Sequence, residues 1–174
     1  MKSYTFMSKS SACEVTLGEK YSKGFIEGRI FLRFFPLEEG GRTNKSIMVK
    51  LSPDEAYAMH ILIPNLIEQK RESFDLIYHK FDAPDGAKIH TIIKFTYTKK
   101  NEKEYYGLNV SRKITYPDGE EENKSILLPL SKINMYMFAD FMGKIYYEAC
   151  WKKRVVEEDV DEESEVNYNE DTDE

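Results

Sequence analysis

The sequence predicts an α+β fold in which two antiparallel β-meanders are each followed by a helix, with a disordered acidic C-terminal tail. Turn signals separate β-rich stretches of about eight to thirteen residues, and two segments with helical periodicity interrupt that rhythm. The whole chain is 41% hydrophobic, which fits a packed body, and residues 1–154 are long enough for one domain with a full core. Residues 155–174 form the predicted tail.

The strands are predicted between clusters of Gly, Pro, Asn and Asp, which favour tight turns. These clusters lie at Gly40-Gly41, Pro84-Asp85-Gly86, Lys99-Lys100-Asn101 and Pro117-Asp118-Gly119. The stretches between them are Phe25–Phe35, Lys45–Leu51, Phe74–Phe81, Lys88–Thr98, Tyr105–Tyr116 and Ser125–Leu130, with a further short strand within Tyr4–Leu17. Because the connections are short enough for hairpins, we expect antiparallel pairing.

The first helix is predicted to begin after Ser52. Ser52, Pro53 and Glu55 form a capping-box pattern with proline at the first helical position. Apolar residues follow at helical spacing, namely Ala56, Met59, Ile63, Leu66 and Ile67. Pro64 lies inside this pattern and removes one backbone donor, so we expect a bend there.

The second helix is predicted to begin at Ser131 and to be apolar on nearly every side. One side carries Ile133, Met137, Phe141, Ile145 and Ala149, and the other sides carry Met135, Phe138, Met142, Tyr146 and Tyr147. Such a helix must be buried on more than one side, which a domain of this size can scarcely provide alone. We therefore expect a homo-oligomer, a dimer or larger.

The two halves of the chain resemble each other where each helix begins. Lys45–Ser52 and Lys124–Ser131 are both apolar strands that end in Leu-Ser, with the serine placed to cap the helix. An internal duplication explains this likeness. Chance explains it too, because Leu-Ser before a helix is common.

This order of elements resembles the Whirly fold of single-stranded DNA-binding proteins. The local likenesses are Lys23-Gly24 before a long strand, Leu51-Ser52 before the first helix, and Leu128-Pro129-Leu130-Ser131 before the second. The resemblance implies two sheets packed across helices, nucleic acid lying along the sheets of an oligomer, and no catalysis. The acidic tail resembles that of bacterial and phage replication single-strand binding proteins, which implies partner recruitment.

The face of Phe25–Phe35 that points away from the core alternates cations with rings. One face carries Ile26, Gly28, Ile30, Leu32 and Phe34, and the other carries Phe25, Glu27, Arg29, Phe31, Arg33 and Phe35. Rings on which bases stack, beside cations that meet phosphates, are typical of a single-strand platform. Two alternatives remain, since cations beside aromatic residues are ordinary on a solvated sheet face and a partner subunit could cover Phe31.

Two further strands repeat the pattern less clearly. The outward residues predicted to contact nucleic acid are Lys88, His90 and Lys94 on one strand and Tyr105 and Lys113 on the next. A dense cationic cluster, Lys152, Lys153 and Arg154, follows Trp151. It either contacts phosphate, docks the tail, or simply complements the C-terminal end of a helix.

The charge is divided unevenly between body and tail. Residues 155–174 hold eleven of the thirty-one acids and none of the twenty-five Lys and Arg residues, so the body is mildly basic. A segment of like charges is predicted to be disordered because it repels itself and buries little apolar surface. The tail either competes with nucleic acid for the basic body, recruits a partner, or only keeps the protein soluble.

No catalytic or metal-binding motif is present in the sequence. His60, His79 and His90 are scattered, and Cys13 and Cys150 lack ligand spacing, so we expect no enzyme, no metal and no cofactor. The absence of an apolar run near twenty residues and the reduced-thiol pattern predict no membrane partner and a cytoplasmic protein, in the host cytoplasm if the source is a virus or phage.

These observations predict a sequence-tolerant single-stranded DNA-binding protein that acts in replication, recombination or repair. Two alternatives of other classes stay open: a transcription regulator that binds single-stranded DNA or RNA, and a non-catalytic protein-interaction module. DNA is favoured over RNA as the ligand, and replication proteins are expected as partners of the tail.

Overall fold

The computed structural model describes residues 2–22, 25–38, 41–42, 45–151 and 154–155. The predicted acidic tail therefore lies outside the described residues, except for Val155. Lys152 and Lys153 lie outside them as well. Among the described residues, no helix is long and apolar enough to cross a membrane.

The first sheet is built around one long central strand. Its main strands are β1 (Lys2–Met7), β2 (Ser11–Ser22) and β3 (Phe25–Glu38), in that order, and all pairing is antiparallel. The other edge of β3 pairs with β4 (Gly41–Arg42), β5 (Ile47–Leu51) and, near the chain terminus, β10 (Arg154–Val155). The first sheet thus has four main strands, with β5 beside the middle of β3.

The second sheet is a simple meander that follows chain order. Its strands are β6 (Ser73–Asp82), β7 (Lys88–Lys100), β8 (Lys103–Thr115) and β9 (Glu121–Leu130). Every pair is antiparallel, as the short turns predict. The fold-class prediction of two antiparallel meanders, each followed by a helix, is confirmed.

The N-terminal region holds two strands where a single short strand is predicted. The turn between them, Ser8 to Ser11, contains no Gly, Pro, Asn or Asp. Serine hydroxyls replace those residues, since Ser8 Oγ accepts a hydrogen bond from the Ser11 backbone N–H at 3.0 Å and Ser8 N donates to Ser11 O at 2.8 Å. Serine makes such turns less often, which is why the sequence pattern misses this one.

Both helices begin where their caps predict. α1 spans Pro53–Glu68, with Glu55 N donating to Ser52 Oγ at 3.2 Å and Ser52 N donating to Glu55 Oε2 at 2.8 Å. α2 spans Lys132–Trp151, and Asn134 N donates to Ser131 Oγ at 3.1 Å. These caps fix the start of each helix directly after the last strand of its sheet.

A single core lies between the two sheets and the two helices. The largest fully buried side chains come from both sheets and both helices and include Phe34, Phe95, Phe138, Met59 and Ile63. Gly28 lets the end of α2 press onto β3, because a Cβ at this position would lie 2.5 Å from the carbonyl oxygen of Ala149. The helices meet where His60 Nδ1 lies 2.9 Å from Ala139 O.

Candidate nucleic-acid interface

The outer face of β3 presents one aromatic ring between two cations. The core assignment of the opposite face is confirmed, because Ile26, Ile30, Leu32 and Phe34 are all buried. Phe31 is half-buried and lies over Gly18 of β2, since its Cε2 atom is 3.0 Å from the position that a Cβ on Gly18 would take. The absence of a side chain at Gly18 therefore lets the ring lie against the sheet and keep its other side toward solvent.

Arg29 and Arg33 flank this ring with incompletely satisfied donors. Arg29 forms an ion pair with Glu27, and its side chain is 22% exposed. The Nε–H groups of both arginines are buried and lack a hydrogen-bond partner among the described residues. An unsatisfied buried donor is costly, so these two arginines are held on the outer face of β3 with part of their hydrogen-bonding capacity unused.

Phe35 departs from the predicted platform and requires a correction. Its side chain is only 3% exposed, and its cross-strand neighbour Ala12 is fully buried. The ring therefore offers no face to a base in this structure. The alternation of residues along β3 predicts that the Phe35 side chain points away from the core. It does not predict that other segments of the protein cover this end of the outer face.

The outer face of the second sheet carries the other predicted cations, as expected from strand alternation. Acids from neighbouring strands pair with two of them: Lys94 Nζ lies 3.4 Å from Asp75 Oδ1, and Lys113 Nζ lies 2.7 Å from Glu121 Oε1. Lys88 stands directly opposite Asp82 in the register. This face is therefore closer to an ordinary solvated, charge-balanced surface than to a polyanion site.

The two rings predicted on this sheet face differ in their surroundings. His90 meets Tyr78 edge to face at 6.1 Å between ring centroids. Tyr105 is 53% exposed and stands opposite Thr98, near the hairpin end of the sheet. Of the terminal cluster, only the backbone of Arg154 is described, and it pairs with Ile26. Where these residues would contact nucleic acid stays a prediction.

A cleft between the two sheets combines exposed rings with cations. Its volume is about 700 Å³, and it is lined by Met48, Val49, Lys50, Tyr78, His79, Lys80, Phe81, Thr91 and Arg112. We call this set the inter-sheet cleft. Tyr78 and Phe81 are 57% and 50% exposed, although large rings gain little from contact with water.

Arg112 spans the base of the inter-sheet cleft. Its Nη2 donates to the backbone carbonyl of Met48 at 2.6 Å, and its Nε donates to Thr91 Oγ1 at 2.9 Å. Partial burial lowers the pKa of the Arg112 guanidinium from its usual value, but arginine stays protonated in proteins. One side chain thus joins the two sheets and adds a fixed positive charge to the cleft.

The other ionisable groups of the cleft are arranged with little negative charge. His79 Nε2 lies 2.6 Å from Glu55 Oε1. Glu55, which completes the cap of α1, therefore also contacts β6. Lys50 and Lys80 are exposed and form no ion pair with any described residue. These two lysines are available to phosphate groups.

The inter-sheet cleft is continuous with the outer face of β3 through β5. In the β3–β5 register Phe31 stands opposite Lys50 and Arg33 opposite Met48, and both β5 residues line the cleft. The predicted platform and the cleft therefore form one surface. Of the predicted site residues, the structure places Arg29, Phe31 and Arg33 on this surface, and His90 contacts Tyr78 at its margin. Lys88, Lys94, Lys113 and Tyr105 do not line the cleft.

Sequence reasoning misses the cleft for two reasons. The alternation of β6 is interrupted by a bulge between Asp75 and Ile77, which hides the outward direction of Tyr78. The cleft also joins strands that are far apart in the chain. The one residue in the sequence that indicates the cleft is Arg112. It occupies an inward position on a strand, beside Val110 and Ile114, and a buried arginine requires hydrogen-bond partners.

Among the described residues, no group of three or more His, Cys, Asp and Glu side chains is arranged to hold a metal ion.

Solved structures show what this architecture is similar to. WHY3 from Arabidopsis thaliana matches with a TM-score of 0.59 at 15% sequence identity, covering 86% of this chain and 88% of that one. WHY1 from Arabidopsis thaliana matches with a TM-score of 0.58 at 16% identity, covering 85% and 90%. No protein-family model and no curated protein sequence matches the chain. The chain has a Whirly-like fold, as the sequence resemblance indicates.

Proposed function

We propose that this Whirly-like chain binds single-stranded nucleic acid, with DNA favoured, in a sequence-tolerant manner and without catalysis. A role in DNA replication, recombination or repair follows as the broader proposal, because sequence tolerance suits strands exposed transiently in those processes. The observation that carries the proposal is the surface formed by Phe31 and the inter-sheet cleft, where exposed rings adjoin unpaired lysines.

The binding energy would come from two sources on this surface. Lys50, Lys80 and Arg112 would neutralise phosphates and release counterions, with a slope in log salt of about −0.7 per phosphate contacted. Bases would stack on Phe31, Tyr78 and Phe81, which contributes about 1–3 kcal/mol per base. Since every base has an aromatic face, stacking of this kind tolerates any sequence.

The helices supply a second surface that suits self-association. Exposed apolar side chains lie along both helices, from 43% to 72% exposed: Tyr57, Ile61, Ile133, Met137, Tyr147 and Trp151. Exposed apolar groups of this number favour burial against another protein. We infer a homo-oligomer, a dimer or larger, through the helices, which leaves the sheets open to nucleic acid. The same surface favours the alternative of a protein-interaction module.

The acidic segment follows directly after a residue that pairs with β3. Val155, the residue before the acidic segment, pairs with Phe25 at the start of β3, the strand that carries Arg29 and Phe31. Eleven acids on one segment would compete with phosphates for the same cations, or recruit a replication protein. Removing residues 156–174, which preserves β10, should raise affinity for short oligonucleotides at low salt if competition occurs.

A fluorescence polarisation titration tests the binding proposal. Labelled oligo-dT, oligo-rU and duplex DNA are compared on the wild type, on Lys50→Gln/Lys80→Gln, and on Lys9→Gln/Lys132→Gln, a control that removes the same charge from exposed sites elsewhere. We expect single strands to bind more tightly than duplex. The cleft variant should lose about 1.4 units of salt slope, while the control should lose less. Equal binding by both variants would contradict the assignment of the cleft.

A further inference from the structure

A second cavity lies near the inter-sheet cleft, on the free edge of the second sheet. Its volume is about 520 Å³, and it is lined by Ser10, Ser11, Pro36, Lys45, Glu122, Asn123, Lys124, Ser125, Ile126 and Leu127. We call it the edge pocket. We propose that the edge pocket holds one unstacked nucleobase of the strand bound in the cleft and hydrogen-bonds to the edge of that base. This inference rests on the proposed function and deepens it.

The two cavities adjoin on both walls. On the second sheet, Lys124 of the edge pocket stands directly opposite Arg112 of the cleft in the β8–β9 register. On the first sheet, Lys45 precedes β5, and Met48 of β5 lines the cleft. The hydrogen bond from Arg112 to Met48 O therefore marks the boundary between them. A strand that lies in the cleft reaches the edge pocket by passing this side chain.

Backbone groups of β9 face the edge pocket. The carbonyl of Leu127 accepts a hydrogen bond from Ser11 Oγ at 2.7 Å, so it points away from β8. In an antiparallel strand every second residue points the same way, which gives Asn123, Ser125 and Pro129 the same direction. Pro129 fits this assignment, because a proline at a free edge sacrifices no ladder hydrogen bond.

The peptide groups of Asn123 and Ser125 thus remain available at the pocket. No described residue forms a backbone hydrogen bond with them outside the strand ladder. Unpaired edge N–H and C=O groups are strong donors and acceptors that seek partners. Ser11, which is 2% exposed, holds the neighbouring segment of the edge in place.

The chemistry of the pocket fits a base better than a phosphate. The Lys124 ammonium is already paired with Glu122 Oε1 at 2.8 Å, so the lining, with Lys45, Lys124 and Glu122 as its charged residues, carries a net charge of only +1. Pro36, Ile126 and Leu127 supply apolar walls beside the peptide donors and acceptors. A planar ring with hydrogen-bonding edges matches such a site, and unstacked bases in single strands expose those edges.

Two substitutions at one position separate the backbone donor from the side chain. Ser125→Pro removes the outward N–H and should preserve the sheet, since Pro129 occupies an equivalent position in the same strand. Ser125→Ala keeps that N–H and removes only the hydroxyl that bonds Asn109 Oδ1 at 2.9 Å. Thermal unfolding of both variants checks that the fold is retained.

We expect Ser125→Pro to weaken binding of oligo-dT about two- to tenfold and to reduce any preference among homopolymers, because one hydrogen bond is lost. Ser125→Ala should bind as the wild type does. In wild-type protein, an oligonucleotide containing 4-thiothymidine should cross-link on irradiation to the segment 122–127, a result that does not depend on any variant folding.

The outcomes distinguish the pocket from the cleft. Unchanged affinity of Ser125→Pro, together with cross-links confined to residues 78–81, would overturn the edge pocket and leave the cleft in place. Cross-linking of an extended peptide to residues 122–127, with no cross-link from the oligonucleotide, would overturn it in favour of strand addition at this edge. No binding of any oligonucleotide by wild-type protein would instead overturn the proposed function.

Discussion

The outer faces of the two sheets carry similar residues but differ in their electrostatics. On the first sheet, Arg29 is paired with Glu27, but Lys50, which stands opposite Phe31, forms no ion pair with any described residue. The Nε–H groups of Arg29 and Arg33 also lack hydrogen-bond partners among the described residues. On the second sheet, Lys94 and Lys113 are paired with Asp75 and Glu121. Alternating cations and polar or aromatic residues therefore predict which way side chains point. Whether the cations are available depends on acids that the register brings beside them.

The largest expected effect is the loss of affinity when a ring is removed from the first face, compared with the removal of a ring from the second face. Phe31→Ala should weaken binding of oligo-dT about 5- to 150-fold, because stacking contributes about 1–3 kcal/mol per base. Tyr105→Ala removes an exposed ring from the second sheet and should change affinity little. Both are measured by polarisation titration at one salt concentration. Equal losses for the two variants would show that the faces do not differ as binding surfaces.

A smaller effect is expected from making the second face resemble the first. Asp75→Asn combined with Glu121→Gln removes the partners of Lys94 and Lys113 and should increase affinity a fewfold at low salt. The slope in log salt should steepen by up to about 1.4, since two more lysines can contact phosphates. The measurement is a titration at several salt concentrations.

The matched control for this gain is Glu102→Gln combined with Asp140→Asn. It changes the net charge equally at two exposed positions, one in the turn between β7 and β8 and one on α2. A similar gain in the control would mean that net charge alone raises affinity. In that case the ion pairs of the second face would not be what distinguishes it from the first.

The sequence predicts the fold better than the binding surface, for physical reasons. Local chemistry determines the caps at Ser52 and Ser131 and the inward face of β3, and these predictions are confirmed. The sequence resemblance to Whirly proteins gives the correct architecture. Local patterns do not determine register, so they could not show the ion pairs of the second sheet or the burial of Phe35.

The inter-sheet cleft depends on contacts that are even more distant in the chain. Arg112 bonds the carbonyl of Met48, 64 residues earlier, and a bulge in β6 changes the direction of the side chains that follow it. The sequence indicates only that an inward arginine requires a hydrogen-bond partner. Which strand supplies that partner follows from how the two sheets pack.

The smallest effect at neutral pH concerns a carboxylate of the second sheet. Glu104, on β8, accepts hydrogen bonds from Tyr106 Oη at 2.8 Å and Tyr97 Oη at 3.2 Å, and Lys70 Nζ lies 3.0 Å away. These donors, Tyr106 first, lower the pKa of Glu104 to about 2. A depressed carboxyl pKa stabilises the folded state above the unfolded-state pKa, and this contribution is lost as pH falls toward about 2.

Glu104→Gln should therefore lower the thermal unfolding temperature slightly at pH 7. Below about pH 4.5, the ordinary pKa of a glutamate, the unfolding temperature of this variant should fall less steeply than that of the wild type. Glu102→Gln, an exposed change on the same hairpin, serves as the control and should keep the acid sensitivity of the wild type. Oligonucleotide affinity at pH 7 should be unchanged, because Glu104 lies outside the residues that line the cleft. An equal acid decline in Glu104→Gln and wild type would show that this cluster does not couple folding to pH. A loss of oligonucleotide affinity in Glu104→Gln would show that the binding surface includes the hairpin that carries Tyr105. The two outer faces would then not differ as binding surfaces.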